Sequence, residues 1–187
     1  MLGLFKNVAK KVFGNKPKRR TFASISYDKQ RPDVVDGFRK IDEDEDNVAY
    51  RDDKGNIKIG IRGTSNLKDV MTDINLLKGK NIEDTDRYKK SEDFVKRIAD
   101  KYGKNIELET HSLSGRIGNK LADKFDFIKG GISYNPFLTD KSQISSKIKN
   151  IRSPLDPVSA LVAKDIETDY SKLSNLNPID AHGIEQF

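Results

Sequence analysis

Glu109-Thr110-His111-Ser112-Leu113-Ser114-Gly115-Arg116-Ile117-Gly118-Asn119 sets a serine among small residues where an apolar strand runs into a helix. Ile106 and Leu108 alternate as a strand. After Gly115 the apolar Ile117, Leu121, Ala122 and Phe125 recur at helical spacing, with Lys120, Asp123 and Lys124 turned outward. So tight a turn strains the backbone at the turn residue and holds its side chain clear of both elements. Ser112 is therefore expected to be exposed, its hydroxyl near the positive end of the helix and the Leu113 N–H turned to face an oxyanion. The G-x-S-x-G pattern of such turns has glycine two residues either side of the serine. Here those positions are Thr110 and Ser114, small enough for a tighter turn. The same residues also read as an ordinary strand-turn-helix with a surface serine.

A serine nucleophile needs a base, and the chain has two histidines. His111 adjoins the serine and projects to the opposite side of the strand. That leaves His182, in the polar, proline-marked loop Asn177-Pro178-Ile179-Asp180-Ala181-His182-Gly183, although a lone histidine in such a loop is more often a solvated surface residue. The orienting acid falls between serine and histidine in the order Ser, Asp, His, ideally just after a strand. Asp156 fits, because Ile148 and Ile151 read as a short strand and Arg152-Ser153-Pro154-Leu155-Asp156-Pro157-Val158 as a turn pinned by two prolines. Asp165 and Asp169, in a charged segment, and Asp180, two residues from His182, compete for the role.

A second segment points the same way. Ile57, Ile59 and Ile61 alternate as a half-buried strand after the hairpin turn Asp53-Lys54-Gly55-Asn56, with Val48 to Arg51 as the partner strand. Gly63 lets the chain turn sharply, and a helix can begin near Asn66 with Asp69 in its first turn. N–H groups at such a start suit an anion; a plain capped turn is the other reading.

Four separated segments, in order, resemble the class 3 (fungal-type) lipase family of the α/β-hydrolase superfamily. Ile59-Gly60-Ile61-Arg62-Gly63-Thr64-Ser65, with Leu67-Lys68-Asp69-Val70-Met71-Thr72-Asp73-Ile74 after it, is similar to the family's strand ending in Arg-Gly-Thr or Arg-Gly-Ser and its Asp-x-x-x-Asp helix. Thr110 to Gly115 resembles the Gly-His-Ser-Leu-Gly-Gly elbow. Ile132-Ser133-Tyr134-Asn135-Pro136-Phe137 resembles the next strand and its Phe-Gly-x-Pro turn. Asp156-Pro157-Val158 and His182 resemble the acid and the base. The resemblance covers roughly residues 45 to 187. It implies a compact α/β-hydrolase-like sheet flanked by helices and a triad of Ser112, Asp156 and His182. It also implies Thr64 as the second oxyanion-hole residue beside Leu113. The departures are Thr110 and Ser114 for glycines, and Asn135 where the family commonly has glycine.

A chain of 187 residues suits one domain, residues 21–187, behind a basic amphipathic leader, residues 1–20. A chain of that size buries roughly 70% of its unfolded surface. Apolar residues are 35% and charged residues 34%, so the core is small and little remains for a lid. Arg87 to Tyr102 places Phe94, Val95, Ile98, Ala99 and Tyr102 on one helical face. The alternation of strand-like and helical runs is that of a mixed or doubly wound α/β sheet. Asp42-Glu43-Asp44-Glu45-Asp46 reads as a solvated loop before the first paired strand. With no cysteine there is no disulfide. Neither metal-ligand spacing nor a phosphate-cradling loop occurs, so no metal or cofactor is expected. No run approaches the 18 or more apolar residues of a membrane span, and Leu2 to Phe13 is too interrupted by lysines for a signal peptide.

In the leader, Leu2, Phe5, Val8, Ala9, Val12 and Phe13 share one helical face, and Lys6, Lys10 and Lys11 lie around the other. Leu2 to Arg20 thus suits peripheral contact with an anionic membrane, or packing on its own domain or a partner subunit. The formal net charge of +6 arises from 35 basic and 29 acidic residues. The excess is local and lacks aromatic-basic interleaving, which argues against nucleic acid. The expected function is a serine esterase or lipase cleaving lipid carboxylic esters, acylglycerol or phospholipid, in an intracellular or virion-associated, peripherally membrane-bound setting. The alternative is a lipase-like binding or structural protein of little or no activity.

Overall fold

Ile57, Ile59 and Ile61 form a strand with all three side chains fully buried, and Val48 to Arg51 lies antiparallel to it through the expected turn. The turn is closed by Asp52, whose Oδ1 accepts the Lys54 and Asn56 N–H groups at 3.0 and 2.8 Å. The computed structural model describes residues 20–64, 81–154, 156, 166–168 and 184. Residues 1–19 of the leader, the helix expected near Asn66, and Asp165, Asp169, Asp180 and His182 lie outside the described residues.

The elements in chain order are α1 (Phe22–Ile25), β1 (Val34–Val35), β2 (Phe38–Glu43), β3 (Asn47–Arg51), β4 (Ile57–Ile61), α2 (Asp86–Tyr102), β5 (Ile106–His111), α3 (Ser114–Lys124), β6 (Ile128–Tyr134), β7 (Ile148–Arg152) and β8 (Glu167–Thr168). All eight of these strands join one sheet in chain order. β1 to β4 pair antiparallel, and β4 to β8 pair parallel. The architecture is a mixed α/β sheet.

Parallel neighbours joined in sequence by right-handed crossovers carry their helices on one face. α2 and α3 accordingly share a core with β4 and β5, in which Phe94, Val95 and Ile98 meet Ile59, Leu108, Ile117 and Leu121. α2 begins at Thr85, whose side chain accepts the Tyr88 N–H, and ends at Gly103 with φ +123°. Its buried face is the one its periodicity predicts; Tyr102 is half-buried and donates its hydroxyl to the Ile41 carbonyl at 2.9 Å.

The opposite face of the sheet receives α1, an element without enough periodicity to be read from sequence. Gly60 runs so close beneath it that a Cβ would lie 2.7 Å from the Phe22 carbonyl carbon. Phe22 packs on Phe38 and Tyr50 with ring centroids 5.5 and 5.2 Å away.

The acidic run corrects the expectation of a solvated loop. Asp42 and Glu43 belong to β2, opposite Ala49 and Val48. Their charges are met locally, Asp42 by Arg97 at 3.1 Å and Glu43 by Lys40 at 2.7 Å, while Ile41 between its neighbours packs on the core. Asp44 then closes the turn by accepting the Asp46 and Asn47 N–H groups at 2.9 and 2.8 Å.

The carboxyl ends of β4, β5, β6 and β7 lie along one edge, and Gly63, Ser112, Asn135 and Asp156 follow them there. In open α/β sheets that edge is where ligands bind. Among the described residues no helix is long and apolar enough to cross a membrane.

Candidate active site

Ser112 has φ +58°, in the left-handed region that a residue with a Cβ rarely adopts. Three backbone bonds hold it there. Its N–H donates to the Tyr134 carbonyl at 3.0 Å, and its carbonyl accepts from Gly115 at 3.0 Å and Phe137 at 3.1 Å. Leu113 then takes right-handed helical angles as the residue before α3, and no described residue accepts its N–H.

The two residues that replace glycines around Ser112 are accommodated differently. The Ser114 hydroxyl accepts the His111 N–H at 3.0 Å and faces the Ile61 and His111 carbonyls at 2.8 and 2.9 Å, donating its proton to one of them. Thr110 keeps its bulk because Gly118 on α3 yields space: a Cβ on Gly118 would lie 2.6 Å from Thr110 Cγ2. The Thr110 hydroxyl bonds to Ser133 Oγ at 2.8 Å.

Ser112 is not exposed as the strand-turn-helix pattern suggests; its relative exposure is 0%. One of the residues that crowd it is distant in sequence. The loop after β4 presses on the turn, and a Cβ on Gly63 would sit 3.0 Å from Ser112 Cβ and 2.6 Å from the Tyr27 hydroxyl. Only glycine fits this approach.

That loop is held from two sides. The Gly63 N–H donates to Tyr27 Oη at 2.8 Å, and Tyr27 Oη lies 2.7 Å from His111 Nδ1. Since an amide N–H can only donate, the phenol accepts from Gly63, and its second contact, with Nδ1, takes its direction from the His111 tautomer. Burial pushes the Tyr27 phenol well above its ordinary value, which keeps it protonated. His111 is thus engaged on the face away from α3. On the loop's other side, Arg87 Nη2 donates to the Arg62 carbonyl and, at 3.1 Å, to the Gly63 carbonyl. Asp46 pairs with Arg62 at 2.9 Å and with Arg87 at 3.6 Å. Thr64 follows, half-buried.

Asp156 lies past β7 with 2% exposure, its N–H donating to the Ser153 carbonyl at 3.2 Å. Asn135 fixes the start of that loop. It has φ +44°, its N–H donates to Ile151 at 2.8 Å, and its Oδ1 accepts the Ser153 N–H at 2.7 Å. The sequence marks Asn135 only as a departure from glycine. Asparagine tolerates positive φ better than most residues, and here its amide adds a tether that glycine lacks. Tyr27, Asp46 and Arg87 went unnoticed in the sequence, because they reach the loop from 36, 16 and 24 positions away and belong to no local pattern.

Ser112, Leu113, Thr64 and Asp156 therefore follow neighbouring strands at one edge of the sheet, while His182 lies outside the described residues. Among the described residues no group of three or more His, Asp or Glu is placed to hold a metal ion. A strained serine at a helix start beside a clamped glycine loop is an arrangement capable of acyl transfer, with the serine as nucleophile and backbone N–H groups as anion donors. Compared with models of known protein families and with curated proteins, the sequence matches none.

Proposed function

We propose that the chain is a serine hydrolase of the α/β-hydrolase type, cleaving lipid carboxylic esters, acylglycerol or phospholipid, through an acyl-enzyme. The observation that carries this is Ser112, in a left-handed turn at the carboxyl end of a parallel strand with the β4 loop packed on its Cβ. In the mechanism His182, oriented by Asp156, removes the Ser112 hydroxyl proton as Oγ attacks the ester carbonyl. The Thr64 and Leu113 N–H groups stabilise the oxyanion, each at about 3–4 kcal/mol in sites of this kind. Collapse expels the alcohol, which takes the proton from His182. Water activated by the same imidazole then attacks the acyl-enzyme and frees the acid. The scheme requires neither metal nor organic cofactor.

One observation favours a second reading, a lipase-like binding or structural protein at a membrane or virion surface: Ser112 is fully covered. Hydrolysis of para-nitrophenyl esters of increasing chain length, by the wild type and Ser112→Ala in parallel, separates the two. Turnover that disappears in Ser112→Ala supports the hydrolase, and the length profile divides esterase from lipase. Folded wild-type protein without turnover, lipid vesicles included, supports the binding protein.

A further inference from the structure

We infer that Arg87 and Tyr27 are positioning residues that set the direction of the Thr64 N–H, an assignment that rests on the hydrolase function proposed above. Gly63 joins two peptide planes. In the first, the Arg62 carbonyl accepts from Arg87 and the Gly63 N–H donates to Tyr27 at 2.8 Å. In the second, the Gly63 carbonyl accepts from Arg87 at 3.1 Å, and the other polar group is the Thr64 N–H. No described peptide bond is cis, so C=O and N–H point in opposite directions within each plane. Drawing the Gly63 carbonyl towards Arg87 therefore turns the Thr64 N–H the other way.

The clamp answers a difficulty that Gly63 creates. The site admits no Cβ, so glycine is required where the loop crosses Ser112. Glycine also has the freest backbone, and its flanking planes rotate unless something outside the loop holds them. An oxyanion donor is effective to the extent that it need not reorient during the reaction. Arg87 suits the task because it stands in the first turn of α2, and its guanidinium is held by Asp46. Its planar fork can address two carbonyls in a fixed geometry, which an ammonium cannot. Tyr27 supplies the opposing bond, its ring set edge-on to His111 with centroids 5.7 Å apart.

The test is steady-state hydrolysis of a soluble short-chain para-nitrophenyl ester by the full chain, with Arg87→Met, Arg87→Lys and Tyr27→Phe beside the wild type. Ser112→Ala serves as the blank. Rates are counted per serine titrated by an organophosphonate, so loss of folded protein does not enter. Arg87→Met is expected to lower kcat about 10- to 100-fold with KM within about threefold, as misdirection of one oxyanion donor should. Arg87→Lys should recover part of the loss, and Tyr27→Phe should lower kcat with the same indifference of KM. If Arg87→Met does not fold, the other two variants carry the test. An unchanged kcat per titrated serine, or a change confined to KM, in a set whose wild type turns over overturns this inference alone. Absence of wild-type turnover overturns the hydrolase function, and the role of Arg87 and Tyr27 with it.

Discussion

The Ser114 hydroxyl makes bonds that a glycine at its position would leave unmade. It accepts the buried His111 N–H, and it donates to a carbonyl at the end of β4 or β5, joining the two loops that meet at Ser112. Removing it strands a buried donor and a buried acceptor, which costs about 1–3 kcal/mol. Ser114→Ala should therefore lose that much stability in urea unfolding. Ser114→Gly, although closer to the lipase pattern, should lose at least as much, since glycine adds backbone entropy to the loss. A glycine variant as stable as the wild type would show that these bonds do not hold the elbow. Asn135 follows similar logic: a positive φ that favours glycine is occupied by a residue whose amide also does structural work, anchoring Ser153 ahead of Asp156.

α1 is four residues long, too short to persist without its docking site. β5 provides that site through Glu109, whose Oε2 accepts the Phe22 N–H at 2.7 Å while Lys58 stands 3.5 Å from Oε1. Burial nonetheless pushes the Glu109 carboxyl above its ordinary value of 4.5, outweighing Lys58 and the backbone donors. The folded chain thus holds this proton more firmly than the unfolded chain. The resulting stabilisation is complete below the ordinary value and is lost as pH rises through the raised one. Melting temperatures taken from about pH 4 upward should fall in the wild type relative to Glu109→Gln across that window. A wild type that instead gains on the variant would mean that Lys58 and the amides outweigh burial. The same contrast between local and distant causes explains what could be read from sequence. β4, α2 and α3 set their largest apolar residues on one face, so these repeat at the period of the element, whereas β3 is buried on both faces and was legible through the hairpin turn that joins it to β4. β2 was hidden because Arg39, Lys40, Asp42 and Glu43 surround its core residue Ile41, and its pairing with β3 is a long-range property. The elbow was legible because strand, turn and helix are contiguous. The approach of Gly63 to Ser112, and of Tyr27 to Gly63, was not, since both come from other parts of the chain.

Charge divides the whole molecule unevenly. Seven of the 35 basic residues and none of the 29 acidic ones lie in residues 1–20, so residues 21–187 carry a formal net charge of −1. The basic character of the chain therefore belongs to the leader, where Lys6, Lys10 and Lys11 lie around the face opposite Phe5, Val8, Val12 and Phe13 in helical projection. Near an anionic bilayer each such cation contributes about 1 kcal/mol, falling off within a Debye length, and the apolar face adds burial in the acyl boundary. We propose that the leader carries the protein to anionic lipid and keeps the edge bearing Ser112 close to its substrate. The full chain should sediment with vesicles containing anionic lipid, less so at high salt, and weakly with purely zwitterionic ones. Removing residues 1–19 spares the Arg20–Asp28 ion pair at 2.8 Å and should abolish sedimentation. Replacing Lys6, Lys10 and Lys11 with glutamate should do the same in the full-length chain. Binding that survives both changes, or that ignores lipid charge, would remove the membrane role and favour packing of the leader on its own domain or on a partner subunit. With the leader acting only on membrane binding, hydrolysis of a soluble ester by the shortened chain should match the wild type, because Ser112 and the β4 loop packed on its Cβ lie outside the leader.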